Sequence, residues 1–240
     1  MNTKTQGQGV APQEALHDRE SVHDFISMAA HDLREPLRAI RLGARLLGAE
    51  GGERSPEEAA QGARYLLDGT QRLETLIRDI AEYCYEEVRE PELRETDLEC
   101  AFLEAKNELA AEVKSSGAQI AHDPLPTLQA NSASLTAVFH CLLSNACKFH
   151  GEAPPVVHVT AALNADAGEW IFSVRDNGIG FDPAYSTRIF RPFERLNGRQ
   201  FTGSGLGLTL ARKAIEQHGG RIWAESNPGR GTTVRFTLPV

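Results

Sequence analysis

The sequence predicts an α+β protein in which an antiparallel helical hairpin precedes an α/β sandwich. Three observations lead to this prediction. Two long apolar stripes at helical spacing lie before residue 89, a charged segment with a proline follows at 89–97, and helix-like and strand-like stretches then alternate. Because sheets and helices must bury their apolar faces against one another, the second part is expected to form packed layers.

The first helix is predicted from about residue 19 to 49. Apolar residues recur there at steps of three and four, at Val22, Ile26, Ala29, Leu33, Leu37, Ile40, Ala44 and Leu47. Residues 1–18 are polar and contain Gly, Gln and Pro, so we expect a flexible tail. Gly51-Gly52 is expected to end this first helix.

A second helix is predicted to begin at Ser55-Pro56-Glu57-Glu58, which provides an N-cap, a proline at the first position and an acid at the third. Its apolar stripe comprises Leu66, Leu73, Leu76, Ile80 and Cys84. The short connection predicts an antiparallel hairpin. One hairpin cannot cover both stripes, so we expect a homodimer in which two hairpins form a four-helix bundle.

Domain boundaries follow from these segments: a tail at 1–18, the hairpin at 19–90 and a second domain at 91–240. In the second domain, helical stretches are predicted near 98–115, 132–149 and 205–218. Strands are predicted at 155–163, 170–175, 221–225 and 232–238.

Composition limits the classes of function. The net charge of −8 argues against a general nucleic-acid binder, which needs a basic face. No apolar run approaches the roughly 20 residues that span a bilayer, and the polar N-terminus lacks the apolar core of a signal peptide. The four cysteines show no C-x2-C spacing, so reduced thiols and a cytoplasmic location are expected.

His31 is the first candidate for chemistry. Asp32 beside it could take the imidazole proton while the other ring nitrogen attacks an electrophile. The alternative is a solvated histidine on a helix, because three other His-Asp pairs occur, at 17–18, 23–24 and 122–123. Only the following L-x-x-P-L and the position on a long stripe distinguish His31, where Pro36 removes one helical hydrogen bond.

Asn145 and Lys148 lie three residues apart on one predicted helix face. An amide oxygen can bind Mg²⁺, and a lysine can neutralise phosphate. Taken alone, an ordinary amphipathic helix with a polar outer face explains this pair better.

Two glycine motifs follow. Asp176 ends a predicted strand before Gly178 and Gly180, where a carboxylate could accept a hydrogen bond from an exocyclic amine, although a common Asn-Gly turn explains the pattern too. Gly203, Gly205 and Gly207 precede a helix whose N–H groups could bind an anion, but a lone GxGxG is weak. A dinucleotide-binding βαβ unit is excluded because no strand precedes this run. Between the motifs, residues 183–202 are a candidate mobile lid that contains Phe190–Phe193 and Arg195.

The order and spacing of these motifs resemble the sensor histidine kinases over residues 21 to 240. The five motifs are an H box around His31, an N box that ends at Asn145, a first G box at Asp176–Gly180, an F box at Phe190–Phe193 and a second G box at Gly203–Gly207. HDLREPLR, PFERL and HGG-x-I-W are most similar to the soluble phytochrome-like branch.

This resemblance implies the roles of residues. Asp176 would hold the adenine amine of ATP, Asn145 the Mg²⁺ and Lys148 the phosphates, with further nucleotide contacts at Gly178, Gly180, Phe193, Arg195, Gly203, Gly205, Leu206 and Gly207. His31 would be the nucleophile with Asp32 as its base. The phosphoryl group would pass to an aspartate of a separate response-regulator receiver domain. No sensor domain is visible, so the signal would come from a missing domain or a separate sensor protein.

Two positions depart from the family pattern. Cys141 stands where the N box usually has another asparagine, and Glu35 stands where phosphatase-competent relatives carry Thr or Asn. Two rival interpretations remain open. ATPases of the same fold, such as MutL, the ninety-kilodalton chaperones and anti-sigma kinases, lack the histidine-bearing hairpin. A non-enzymatic scaffold with a decayed ATP domain is favoured slightly by Cys141 and disfavoured by the intact motifs.

Overall fold

The computed structural model describes residues 12–48, 55–88, 91–196, 201 and 203–240, with the side chains of 12–24 and 86–88 left aside. The chain divides into two compact units, of which the second begins at Thr75. Residues 1–11 of the predicted tail and the predicted helix end at Gly51-Gly52 lie outside the described residues. No helix in the described part of the chain is long and apolar enough to cross a membrane.

Two long helices open the chain, α1 at Pro12–Gly48 and α2 at Pro56–Val88. The first begins earlier than expected, because Pro12 suits the first position of a helix and good helix formers follow it. The second begins as predicted. Its capping box is formed in both directions, since the Glu58 N–H donates to Ser55 Oγ and the Ser55 N–H donates to Glu58 Oε2, each at 3.2 Å.

Glycines bring the two helices into backbone contact in the first unit. A Cβ on Gly43 would lie 2.6 Å from the carbonyl oxygen of Gly62, and one on Gly69 would lie 2.7 Å from Ile40 Cγ1 and 2.9 Å from the Pro36 oxygen. The partners run in opposite directions along the chain, which confirms the antiparallel hairpin. The apolar stripes alone did not predict this close approach.

The second unit is the predicted sandwich. Its helices are α3 (Leu98–Glu108), α4 (Ala110–Ser116), α5 (Ser132–Lys148) and α6 (Gly207–Gln217). Its strands are β1 (Arg94–Asp97), β2 (Gln119–His122), β3 (Thr127–Ala130), β4 (Val156–Asn164), β5 (Glu169–Asp176), β6 (Ile222–Ser226) and β7 (Thr232–Pro239). Five strands form a sheet in the order β2-β4-β5-β7-β6, in which β2 and β4 are parallel and the other pairs antiparallel.

The core lies between one face of this sheet and α3, α5 and α6. Four fully buried phenylalanines join the layers, with Phe172 and Phe236 stacked at 4.7 Å between ring centroids and Phe139 packed edge-on against Phe236. Strand residues alternate between this core and the opposite face, on which His158, Arg175 and Glu225 are exposed.

The segment predicted as a linker is partly a strand. Its last four residues form β1, which pairs with β3, and the Thr96 hydroxyl donates to the buried Ala130 carbonyl. Asp97 then caps α3 by accepting a hydrogen bond from the Glu99 N–H. The single helix expected at 98–115 is divided at Leu109 into α3 and α4.

Candidate functional site

Asp176, at the end of β5, is held by backbone N–H groups from two distant segments. Its Oδ1 accepts hydrogen bonds from the Gly178 N–H at 2.8 Å and from the Thr232 N–H at 3.0 Å. Burial raises the pKa of the Asp176 carboxyl, while these two bonds act in the opposite direction. In the described chain both bonds go to Oδ1, so Oδ2 can accept a hydrogen bond from a ligand.

Glycines in this turn make room for the protein's own backbone. A Cβ on Gly178 would lie 2.4 Å from the Phe149 oxygen, and one on Gly180, whose φ is 62°, would lie 2.1 Å from the Asn227 oxygen. Gly231 is as tightly placed, 2.0 Å from the Asp176 carbonyl oxygen by the same measure. The sequence reasoning expected these glycines to admit a flat ligand, whereas the structure shows that they admit neighbouring chain segments.

Asn145 and Lys148 lie in the last turns of α5. The Asn145 amide nitrogen donates to Cys141 Sγ at 3.7 Å, which leaves the amide oxygen as an available ligand atom. Lys148 Nζ lies 5.1 Å from the centre of the Phe149 ring. Burial and, to a lesser degree, the nearby Arg195 guanidinium lower the pKa of Lys148.

Lys148 therefore shares its surroundings with a second cation and with the glycine-rich loop. A Cβ on Gly203 would lie 2.7 Å from Lys148 Nζ, so loop and amine are in contact distance. Arg195 donates to the Phe201 carbonyl at 2.6 Å, and the Phe201 ring packs on Phe149. Two positive charges held close together next to backbone N–H groups form a site suited to a polyanion.

The glycine-rich loop is also fastened to the predicted F box. The Phe193 N–H donates to the Gly205 oxygen at 3.1 Å, and a Cβ on Gly205 would lie 2.9 Å from Phe193 Cα. Phe193 is buried and has a φ of 60°, a left-handed conformation that is uncommon for a residue with a side chain. Leu206 is fully buried, and Gly207 begins α6.

Residues 183–202, predicted as a mobile lid, contain two short 3-10 turns in their first part, at Pro183–Tyr185 and Arg188–Phe190. Ile189 and Phe190 are buried in the core. Residues 197–200 and 202 lie outside the described residues, and the mobility of the segment stays a prediction.

Sequence reasoning did not single out Ser204, which links the loop to α2. Within the second unit its hydroxyl donates to Asp79 Oδ2 and accepts from the Leu206 N–H at 3.1 Å. In the sequence, the only indication of this role is that Ser204 lies between Gly203 and Gly205 of the glycine motif.

Cys141, at the position where the N box usually has its first asparagine, lies half-buried beside this loop. Burial raises the pKa of its thiol to about 12, and Asp79 adds to the shift. A Cβ on Gly207 would lie 3.0 Å from its sulfur, so the thiol fills the space between α5 and the start of α6. The thiol stays protonated and accepts one hydrogen bond from Asn145.

His31 lies on α1 with 81% of its side chain exposed. Its Nδ1 is 3.0 Å from Asp32 Oδ1. This contact suits the neutral imidazole tautomer in which Nδ1 donates to the Asp32 carboxylate and Nε2 carries the lone pair. Glu35, one turn further, has its carboxylate 4.0 Å from the guanidinium of Arg72 on α2.

The competing His-Asp pair at 122–123 has a structural role. His122 packs on Phe102 with ring centroids 4.4 Å apart and lies 3.3 Å from Glu99, with 20% of its side chain exposed. The pairs at 17–18 and 23–24 belong to α1, but their side chains lie outside the described part. Among described histidines followed by Asp, His31 is the accessible one.

Comparisons with known proteins match both units. Residues 21–83 match the His Kinase A (phospho-acceptor) domain, and residues 130–240 match the histidine kinase-, DNA gyrase B- and HSP90-like ATPase family.

The chain is 39% identical to cyanobacterial phytochrome A of Nostoc sp., over 95% of this chain and 30% of that protein. It is 36% identical to the phytochrome-like protein Cph1 of Synechocystis sp., over 90% of this chain and 29% of that protein. The chain thus spans about a third of the length of these relatives.

Solved structures agree. Full-length ShkA, solved with AMPPNP, is 27% identical with a TM-score of 0.62, covering 90% of this chain and 45% of that one. The kinase ThkA, solved with the response regulator TrrA, has a TM-score of 0.71 over 97% of this chain and 68% of that one, and at 22% identity it shows the fold alone.

Proposed function

Because the chain belongs to the histidine kinases, with a phospho-acceptor domain followed by an ATPase domain, we propose that it binds ATP and phosphorylates its own His31. The observation that carries the proposal is the meeting of Lys148, Arg195 and the loop at Gly203–Gly207 around one polyanion site. We assign residues 19–90 to dimerisation and phosphoacceptance and residues 91–240 to ATP binding, while residues 12–18 of the predicted tail belong to α1.

The adenine and the phosphates of ATP each have matching groups in the second unit. Asp176 Oδ2 accepts a hydrogen bond from the adenine amine. The hydrogen bonds from the Gly178 and Thr232 N–H groups to Oδ1 hold the carboxylate in place. Lys148 and Arg195 neutralise the phosphates, and N–H groups around Gly205, Leu206 and Gly207 supplement them. Gly178, Gly180 and Phe193 shape the walls through their close backbone contacts.

Mg²⁺ fits the amide oxygen of Asn145, because Mg²⁺ prefers oxygen ligands and Cys141 takes the amide nitrogen. When bound, the ion neutralises charge on the phosphates. Its remaining ligands would be phosphate oxygens and water.

In the phosphoryl transfer, the lone pair on Nε2 of His31 is the nucleophile. Nε2 forms a bond to the γ-phosphorus as the bond to the ADP oxygen breaks, and the proton on Nδ1 moves to Asp32. The phosphohistidine then donates its phosphoryl group to an aspartate carboxylate on a response-regulator receiver domain. The signal comes from a sensor domain or a separate sensor protein, and we propose a cytoplasmic location.

We further propose that the hairpin pairs with a second copy. Exposed leucines remain on both helices of the first unit, with Leu37 at 45%, Leu42 at 46% and Leu67 at 71% exposure. Covering them in a four-helix bundle removes this apolar surface from water. Light scattering should give twice the chain mass, and a well-folded monomer would contradict the pairing.

Incubation with γ-labelled ATP and Mg²⁺ tests the main proposal. Wild type should gain acid-labile, alkali-stable label, and His31→Gln should gain none while still binding an ATP analogue. His23→Gln is the matched control, because His23 also precedes an aspartate on α1, and it should label normally. Equal label in His31→Gln would refute the assignment. ATP binding without label in wild type would favour the scaffold.

A further inference from the structure

The face of the sheet opposite the helices carries a shallow groove of about 520 Å³. Register places two rows of side chains across it. His158, Arg175, Thr233 and Glu225 form one row on neighbouring strands, and Thr160, Ser173, Arg235 and Trp223 form the next. On the central strands β5 and β7, Thr233 lies opposite Arg175 and Ser173 opposite Arg235, so hydroxyl groups and arginines alternate there.

This groove is basic in an acidic chain. Arg175, Arg230 and Arg235 line it together with one carboxylate, Glu225, which pairs with Arg235. Arg175 and Arg230 are exposed, and their guanidinium groups have no ion pair or hydrogen bond with any described residue. The whole chain has a net charge of −8, so two unpaired guanidiniums in one concavity are a local excess of positive charge.

The spacing of the charges suits an extended chain. Arg175 lies opposite Thr233, and Arg235 lies opposite Ser173. The two arginines are therefore diagonal neighbours on adjacent strands, with about 7–8 Å between their Cα atoms. Alternate side chains of an extended peptide point the same way and are separated by about 6.8 Å. Each guanidinium can bind a carboxylate through two N–H groups, and Arg235 keeps donors beyond the one that Glu225 uses.

We propose that this groove binds an extended acidic segment of a partner polypeptide, with carboxylates at alternate positions. Arg175 and Arg235 take successive acidic side chains, and Arg230 takes a third charge at the end of the groove. The hydroxyls of Thr160, Ser173 and Thr233 lie on the floor, where they can bond to the peptide. None of these residues belongs to the nucleotide or phosphoacceptor site, so the inference stands apart from the proposed function.

Fluorescence anisotropy of two labelled octapeptides tests the groove in the intact protein at low salt without nucleotide. One peptide alternates Asp and Ser, and the other has four Asp followed by four Ser. Arg175→Glu and Arg230→Glu should each weaken the alternating peptide about tenfold, because an attraction becomes a repulsion. Lys114→Glu, the same charge change on exposed α4 in the helical layer, should stay within about twofold of wild type.

Several results would overturn the proposal. The absence of saturable binding to wild type is one, and an equal loss in Lys114→Glu is another, because net charge alone would then explain the affinity. Equal affinity for the two peptides would show that the groove does not distinguish alternating from clustered carboxylates, and would refute the proposed extended binding geometry. Inorganic polyphosphate that binds as tightly and loses affinity in the same variants would make the groove a general anion site. Arg175→Gln, which keeps a polar side chain, serves if a charge reversal fails to fold, and it should weaken the alternating peptide severalfold.

Discussion

Replacing Asp176 by Asn isolates one atom of the proposed adenine contact. The amide oxygen of Asn can take the place of Oδ1 and keep the bonds from the Gly178 and Thr232 N–H groups. The amide nitrogen then occupies the position of Oδ2 and presents hydrogen-bond donors where the adenine amine also donates. The turn should therefore fold, while the contact with the base is lost.

The size of the effect follows from that geometry. A hydrogen bond to a charged, partly buried group contributes about 1.5–3 kcal/mol. Since each 1.4 kcal/mol corresponds to a factor of ten, affinity should fall roughly 10- to 100-fold. Titration of a fluorescent ATP analogue into both proteins measures it.

Asp166→Asn provides the matched control, because Asp166 is exposed in the turn between β4 and β5. Its affinity for the analogue should equal that of wild type. Unchanged affinity in Asp176→Asn would mean that the adenine lies elsewhere and would refute the reasoning.

The pH dependence of the same variant is a second consequence. Burial raises the pKa of Asp176, so the folded state holds this proton more tightly than the unfolded chain. The contribution of this proton to the free energy of unfolding is fully present below the pKa that Asp176 has in the unfolded chain. It is lost as the pH rises through the pKa that Asp176 has in the folded protein. Denaturation at a series of pH values should show this loss in wild type and not in Asp176→Asn. The affinity for the nucleotide should instead fall as the pH is lowered, because acid protonates the Asp176 carboxylate.

Three further outcomes are expected. Gly69→Ala should lower the free energy of unfolding by about 1–3 kcal/mol in urea, because its Cβ would meet the facing helix, whereas Gly48→Ala has open space and should not. Iodoacetamide should label exposed Cys84 faster than half-buried Cys141 in the folded protein, as read by mass spectrometry, because a pKa raised to about 12 keeps the Cys141 thiol in its unreactive protonated form. The protein should show little phosphatase activity on a phosphorylated regulator, because Glu35 is an anion without a donor, and Glu35→Thr should raise it. Rapid dephosphorylation by a protein that keeps Glu35 but lacks the phosphoacceptor histidine would contradict the last point.

Periodicity predicted the elements that bury a whole face. Helix α5 and strands β4 to β7 were found to within a residue or two, because each carries several core residues at its own spacing. Strand β1 was missed because only Thr96 of its four residues is buried and its neighbours are charged. Its strand character comes from pairing with β3, at least 30 residues further along the chain, and the local sequence does not contain that information.

The candidate site was predictable where a side chain carries the chemistry. Residue type and spacing made Asp176 and Lys148 candidates, their roles were implied by the family resemblance, and the structure brings Lys148 to the glycine loop. Thr232 could not be found in that way, because it acts through its backbone N–H and any residue but proline has one. The reason for Gly178 and Gly180 was also hidden, since the chain segments that they admit are distant in sequence.

The way Asp176 is held has a consequence for the newly made protein. Its second hydrogen bond comes from Thr232, the first residue of β7, and Gly231 lies directly against its carbonyl. Strand β7 follows the other described strands along the chain and is inserted between β5 and β6. The carboxylate proposed to bind adenine is therefore held in place only when β7 has paired with β5. If Asp176 binds the base as proposed, ATP binding requires the assembled sheet and not the turn at residues 176–180 alone.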